Sequence, residues 1–155
     1  MMMMNLSFDV IAALNGRTLV TAESCTGGGI GAALTAVPGS SKVYKGGVIS
    51  YTNDVKINQL YVPAELLDRV GAVSADVAKA MAIGAKTVLS ADISVSVTGL
   101  AGPDGDDRGN PVGTVFVGYA DKDGAHSREY HFSGNRESIR NQAIEAALLL
   151  ILQMQ

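Results

Sequence analysis

One cysteine among 155 residues excludes an internal disulfide and supplies no cysteine-rich metal cluster. Tryptophan is absent and aromatic residues make up 5%, so the interior has to be built from Ala, Val, Leu and Ile, and small side chains at helix–sheet contacts favour closely spaced layers. Charged residues are 17% and the net charge is −3, with a pI near 5.2. There is no basic excess of the kind that nucleic-acid binding requires. The only two histidines, His126 and His131, lie in an alternating segment and read as sheet-surface residues. The longest apolar run, Ala146 to Leu152, is far short of a membrane span. No basic stretch precedes Leu6–Ile11, and that segment is broken by Ser7 and Asp9, so it does not read as a targeting peptide. Met1–Met4 read as a start-site artefact or a frayed tail. The expectation is a cytoplasmic protein with no membrane partner and no nucleic-acid partner. What remains is 47% hydrophobic residues, enough for a globular chain, and the length fits one domain spanning 1–155.

Along the chain, helix and strand patterns alternate. A short helix is expected over Phe8–Leu14, stopped at Gly16, and a first strand over Thr18–Ala22. A helix from Gly28 to Ala36 is closed by Pro38 and Gly39. Gly46–Tyr51 reads as a strand. Asn53 or Asp54 caps a helix through Leu60, and Pro63 starts another over Ala64–Arg69. Ser74 caps a long helix to Leu89 with Val77, Met81 and Val88 buried. Asp92–Thr98 alternates with period two, Gly113–Ala120 is a further strand, and Asp123-Gly124 turns the chain into a returning strand over Ser127–Phe132. A last helix covers Arg136–Leu152. The fold class is α/β: a three-layer α/β/α sandwich on a mixed, mostly parallel sheet.

Ligands of open α/β sheets collect beyond the carboxyl ends of strands. Three such loops stand out: Glu23–Gly29, Tyr51–Lys56 and Thr98–Gly105. In the first, Ala22-Glu-Ser-Cys-Thr-Gly-Gly-Gly29 places hydroxyls and free backbone N–H groups where a strand gives way to a helix, an arrangement suited to an anion or an oxyanion. Each residue has a plainer reading beside the chemical one. Ser24 is a nucleophile or a helix-start hydroxyl, Lys56 a base or a surface lysine, and Tyr51 a catalytic group or a strand-end packing residue. Arg136 and Arg140, one turn apart, form a phosphate clamp or a solvated face. Cys25, with no neighbouring base in evidence, reads as a small buried residue.

The motifs also occur as an ordered set: Ala22-Glu-Ser-Cys-Thr-Gly-Gly28, Val37-Pro-Gly-Ser-Ser41, Lys45-Gly-Gly-Val48, Tyr51-Thr-Asn-Asp-Val-Lys56, Gly71-Ala-Val-Ser74, Val97-Thr-Gly-Leu-Ala-Gly-Pro103 and Pro111-Val-Gly-Thr114. In this order, over roughly Leu14–Leu150, they resemble the CinA C-terminal domain family, the amidase domain of competence/damage-inducible proteins. The family's nucleotide-processing N-terminal domain has no counterpart here, as in its stand-alone form. The resemblance implies a three-layer α/β/α sandwich and a nicotinamide-nucleotide amidase (NMN deamidase) of pyridine-nucleotide salvage. Such an enzyme hydrolyses nicotinamide mononucleotide to nicotinate mononucleotide and ammonia, with no metal or organic cofactor. The family's serine falls on Ser24, its lysine on Lys56 and an arginine of its last helix on Arg140. Tyr51 and the Thr98–Gly102 loop fall in matching segments.

Amide hydrolysis needs a nucleophile, a base, an oxyanion site and an acid for the departing ammonia. No histidine lies in the three loops, which argues against a Ser-His-Asp triad and for a Ser–Lys pair. Lys56 then has to be shifted from its ordinary pKa of about 10.4 to about 7.5, by burial and a nearby arginine. The N–H groups of Thr26, Gly27 and Gly28, with the helix dipole, are the expected oxyanion site. Arg140, with Arg136 as second choice, is expected to hold the substrate phosphate, assisted by the backbone of Thr98, Gly99 and Gly102. Two features stay open. Asp104–Asn110 is acidic for a loop beside an anionic substrate, so it points away, acts as a lid or weakens activity. Glu23 either orients a neighbour or holds Lys56 protonated. The alternative is a non-catalytic nucleotide- or anion-binding module, which an exposed Lys56 would favour. The expected partner is a small-molecule nucleotide, and an Ala/Gly-rich surface suits a homo-oligomer.

Overall fold

The computed structural model describes residues 2–155. Its elements run α1 (Met2–Leu14), β1 (Leu19–Glu23), α2 (Gly29–Thr35), a single 3-10 turn (Ser40–Lys42), β2 (Tyr44–Ile49), α3 (Asn53–Leu60), α4 (Ala64–Val70), α5 (Ala75–Val88), β3 (Ile93–Gly99), β4 (Thr114–Asp121), β5 (Gly124–His131) and α6 (Arg136–Gln153). The five strands form one mixed sheet in the order β2-β1-β3-β4-β5. β1 pairs in parallel with β2 and β3, whereas β3–β4 and β4–β5 are antiparallel, so four of the five strands point the same way.

Helices cover both faces. On one, α1, α2 and α6 pack against Leu19, Ile93, Val95, Val97, Val115, Val117 and Tyr119. On the other, α3, α4 and α5 pack against Val20 and Ala22. The second face depends on small residues. Ser94, Ser96 and Thr98 alternate with the valines of β3 and turn to the α5 side. Their hydroxyls donate to the carbonyls of Ala82, Ala78 and Ala72. Buried hydroxyls thereby find acceptors, as they must, and draw the helix close. A Cβ placed on Gly118 would sit 2.3 Å from the Ala78 carbonyl oxygen, so the layers meet at backbone distance. Close layering is what a chain poor in aromatics predicts. Among the described residues no helix is long and apolar enough to cross a membrane.

Several local expectations are corrected. α1 begins at Met2 rather than Phe8, so Met2–Met4 are helical and not a frayed tail; Met1 lies outside the described residues. The physical reason is the stripe Leu6, Val10 and Leu14, buried at helical spacing. The cap of α3 is Thr52, whose hydroxyl accepts from the Val55 N–H; Asn53 and Asp54 lie inside the first turn. Val88 is 41% exposed, because α5 ends there and its buried face runs through Val77, Ala78, Met81, Ala82 and Ala85. β5 begins at Gly124, paired directly with Asp121. Ser74 caps α5 as expected, and both histidines are exposed on β5.

Candidate active site

The parallel trio β2-β1-β3 brings its three following loops to one end of the sheet. There a pocket of about 290 Å³ is lined by residues of all three, including Ser24, Tyr51, Lys56, Thr98, Gly99 and Gly102, together with Asp104 and Arg136. That volume sits at the small end of ligand pockets, roughly 300–1,000 Å³.

Ser24 and Lys56 meet at its floor. Ser24 follows β1 directly, its N–H donating to the Val97 carbonyl at 3.0 Å, so the serine is held by the neighbouring strand. Lys56 projects from the first turns of α3. Its Nζ donates to Ser24 Oγ at 3.1 Å and to the Ser50 carbonyl at 2.8 Å. The side chain is 1% exposed and Ser24 7% exposed. Burial penalises the ammonium and pushes the Lys56 pKa down from 10.5 to about 8. No arginine contributes to that shift, contrary to expectation; desolvation alone lowers it, and only Cys25 acts against it. At that value about one lysine in ten is neutral at pH 7, against about one in 3,000 for an unperturbed lysine. Cys25, beside the serine, is buried and its thiol is pushed up to about 11, first by desolvation, so it stays protonated.

Of the two roles left open for it, Glu23 takes the orienting one, and it does not figure in the Lys56 shift. Its buried carboxylate turns to the opposite face of the sheet and accepts from Thr21 Oγ1, Thr26 Oγ1 and the N–H groups of Ile30 and Gly31, at 2.8–3.1 Å. It anchors the start of α2. The expected oxyanion site changes accordingly. The Gly27 N–H donates to the Ser24 carbonyl at 3.1 Å and closes the turn. Thr26, Gly27 and Gly28 do not line the pocket, and the first amides of α2 are committed to Glu23 rather than to a ligand. The loop amides that lack an acceptor among the described residues are those of Cys25, Thr26 and Gly28, and of these residues only Cys25, directly after the serine, lines the pocket.

Arg140 is also corrected. Its Nε and Nη2 donate to the carbonyls of Cys25 and Thr26 at 3.0 and 3.1 Å, so it braces the serine loop from behind and does not line the pocket. The arginine presented to the pocket is Arg136, at the start of α6. It donates to the Gly102 carbonyl and, at 3.0 Å, to the Tyr51 hydroxyl. Tyr51 is 58% exposed and engages Arg136 rather than Ser24 or Lys56, which sets it at the rim of the pocket. Thr98 is buried, its hydroxyl given to Ala72, and Gly99 is held in the β3–β4 ladder; both contribute wall. Sequence reasoning missed Ala72 and Val73 as wall residues and read Asn53 only as a cap, although Gly71-Ala-Val-Ser74 was among the ordered motifs.

The acidic loop is folded down, not free. Asp106 accepts from the N–H groups of Arg108 and Asn110 and from Asn110 Nδ2. Arg108 in turn donates to the Asp68 and Arg69 carbonyls at the end of α4. Asp104 alone of its carboxylates lines the pocket.

Comparison with known proteins gives one family. The family model of the CinA C-terminal domain matches residues 5–155. A CinA-like protein of Geobacter metallireducens is 50% identical over 125 residues, which is 81% of this chain and 30% of the relative. The chain therefore spans about a third or less of the length of such relatives. The nicotinamide-nucleotide amidohydrolase PncC of Pseudomonas putida is 46% identical over 136 residues, covering 88% of this chain and 85% of that one. Among solved structures, a CinA superfamily protein of Klebsiella pneumoniae superposes with a TM-score of 0.95 at 35% identity, over 97% of this chain and 96% of the other.

Proposed function

The chain belongs to the CinA C-terminal domain family, and from that premise we propose that it is a nicotinamide-nucleotide amidase that hydrolyses nicotinamide mononucleotide through a Ser24–Lys56 pair. The observation that carries the reading is the buried Lys56 Nζ in hydrogen-bond contact with Ser24 Oγ at the floor of a pocket whose rim presents Arg136. The named activity of the Pseudomonas putida relative supports it, since that protein is similar over most of its own length.

In the neutral form of Lys56 the hydrogen bond reverses, and the serine hydroxyl donates to Nζ. Ser24 Oγ attacks the carboxamide carbon while Nζ takes its proton. The negative charge that develops on the carboxamide oxygen meets the N–H group of Cys25, the residue after the serine that lines the pocket. The protonated Lys56 then returns the proton to the departing nitrogen, releasing ammonia and leaving an ester on Ser24. Water, deprotonated by Lys56, cleaves the ester to the carboxylate and restores the hydroxyl. With the carboxamide at the floor, the nucleotide phosphate lies at the rim, where the Arg136 guanidinium offers a forked contact. Tyr51 holds that guanidinium in place. The burial of Lys56 argues for this enzyme over a non-catalytic binding module, for which a solvated lysine would suffice.

Ammonia release from the purified protein, with nicotinamide mononucleotide and free nicotinamide run in parallel, tests the proposal. Release from the nucleotide alone is expected. Binding without release would move the reading to a binding module.

A further inference from the structure

Among the described residues Asp104 is the one acidic residue that lines the pocket, and nothing in the mechanism uses it. Among the described residues it pairs with no basic side chain; the close acid–base contacts there are Lys79–Asp76 and His131–Glu129. Its position is nevertheless fixed on both sides. Two residues before it, the Gly102 carbonyl is held by Arg136. Two residues after it, Asp106 closes a turn on Arg108 and Asn110. Gly105 packs so closely that a Cβ there would lie 2.5 Å from the Asn110 carbonyl oxygen. A carboxylate presented this way can only accept hydrogen bonds. The part of the ligand it faces therefore brings hydrogen-bond donors or positive charge, and not its anionic end.

Resting on the amidase reading above, the parts of the substrate can be assigned in order. The carboxamide NH2 is at the floor with Ser24 and Lys56. The phosphate carries negative charge, is repelled by Asp104 and belongs to Arg136. The cationic pyridinium ring goes with the carboxamide it carries, toward the floor, and between it and the phosphate the ribose 2′- and 3′-hydroxyls are the only remaining donors. We infer that Asp104 is a specificity residue that accepts hydrogen bonds from the ribose diol, so the acidic loop selects ribonucleotides rather than opposing an anionic substrate. Adjacent hydroxyls on a carboxylate recur in nucleotide recognition, where an Asp or Glu takes the ribose.

The test compares kcat/KM for ammonia release from nicotinamide mononucleotide and from its 2′,3′-dideoxy analogue, in the wild type, Asp104→Ala and Asp104→Asn. The wild type should prefer the ribonucleotide by about 10- to 100-fold, the range for hydrogen bonds to a charged group. In Asp104→Ala the ratio should fall to about one, mainly through KM on the ribonucleotide, and Asp104→Asn, which keeps one acceptor, should restore part of it. Equal treatment of both nucleotides by the wild type overturns the inference, and so does an undiminished ratio in Asp104→Ala. Loss on both nucleotides alike overturns it too, because the carboxylate would then act on something other than the diol. Absence of ammonia release from either nucleotide by the wild type is a different result: it removes the amidase reading itself, and this inference with it.

Discussion

At the scale of single residues the site is governed by where one amine is kept. Lys56 is among the largest fully buried side chains of the protein, and its pKa is pushed down from 10.5 to about 8 by that burial. A lysine with a depressed pKa binds its proton less well in the folded state than in the unfolded state. The buried charge therefore costs stability in full below about pH 8, and the cost fades as pH rises toward 10.5. Two results follow. Under the proposed mechanism, kcat/KM should rise with pH to a plateau above an apparent pKa near 8, because only the neutral amine is a base. Lys56→Met should abolish turnover yet raise stability by about 2 kcal/mol at pH 7, after allowing for the orphaned Ser50 carbonyl. That gain should vanish near pH 9.5 and become a loss of about 1 kcal/mol by pH 10.5, where the orphaned carbonyl outweighs what is left of the charge cost. Chemical denaturation of both proteins across this range checks the sign. Ser24 and Lys56 were legible as candidates from the motif order, but their contact was not. Thirty-two positions separate them, and only the parallel pairing of β1 and β2 closes that gap.

At the scale of elements, side-chain direction decided what the sequence left open. Glu23 and Ser24 are adjacent, yet one reaches across to the amides of α2 and the other lines the pocket. Removing the carboxylate in Glu23→Ala leaves three buried or part-buried donors, the Thr26 hydroxyl and the Ile30 and Gly31 amides, without their acceptor, while Thr21 keeps Tyr44. We expect a loss of about 2–4 kcal/mol by thermal or urea unfolding, far beyond a surface substitution. The two arginines of α6 divide in the same way. Spacing alone does not say which of Arg136 and Arg140 faces the pocket, since both sit on one stripe. The structure gives Arg140 to the Cys25 and Thr26 carbonyls and Arg136 to the rim. Arg136→Ala should therefore raise KM for the nucleotide about tenfold or more, with little change for an analogue that lacks the phosphate. Arg140→Ala should lower kcat and the melting temperature instead, by loosening the loop that carries Ser24. Steady-state kinetics on both substrates separate the two.

At the scale of the molecule, the element types and their succession could be read from periodicity and turn residues. Strand order could not, because nothing local specifies which strands neighbour each other. That order matters for function. Placing β1 between β2 and β3, all parallel, gathers three distant loops at one edge, while the antiparallel β4 and β5 extend the sheet away from it. The Ala- and Ser-lined contact of α5 with β3 holds that edge closely packed beneath the pocket wall formed by Thr98 and Ala72. The central claim is that this arrangement exists to make Ser24 a nucleophile. Ammonia release from nicotinamide mononucleotide by Ser24→Ala, beside the wild type and with unfolding curves for both, tests it most directly. Unchanged unfolding and a rate reduced by about a thousandfold or more are expected; wild-type release from a folded Ser24→Ala protein would contradict a nucleophilic Ser24.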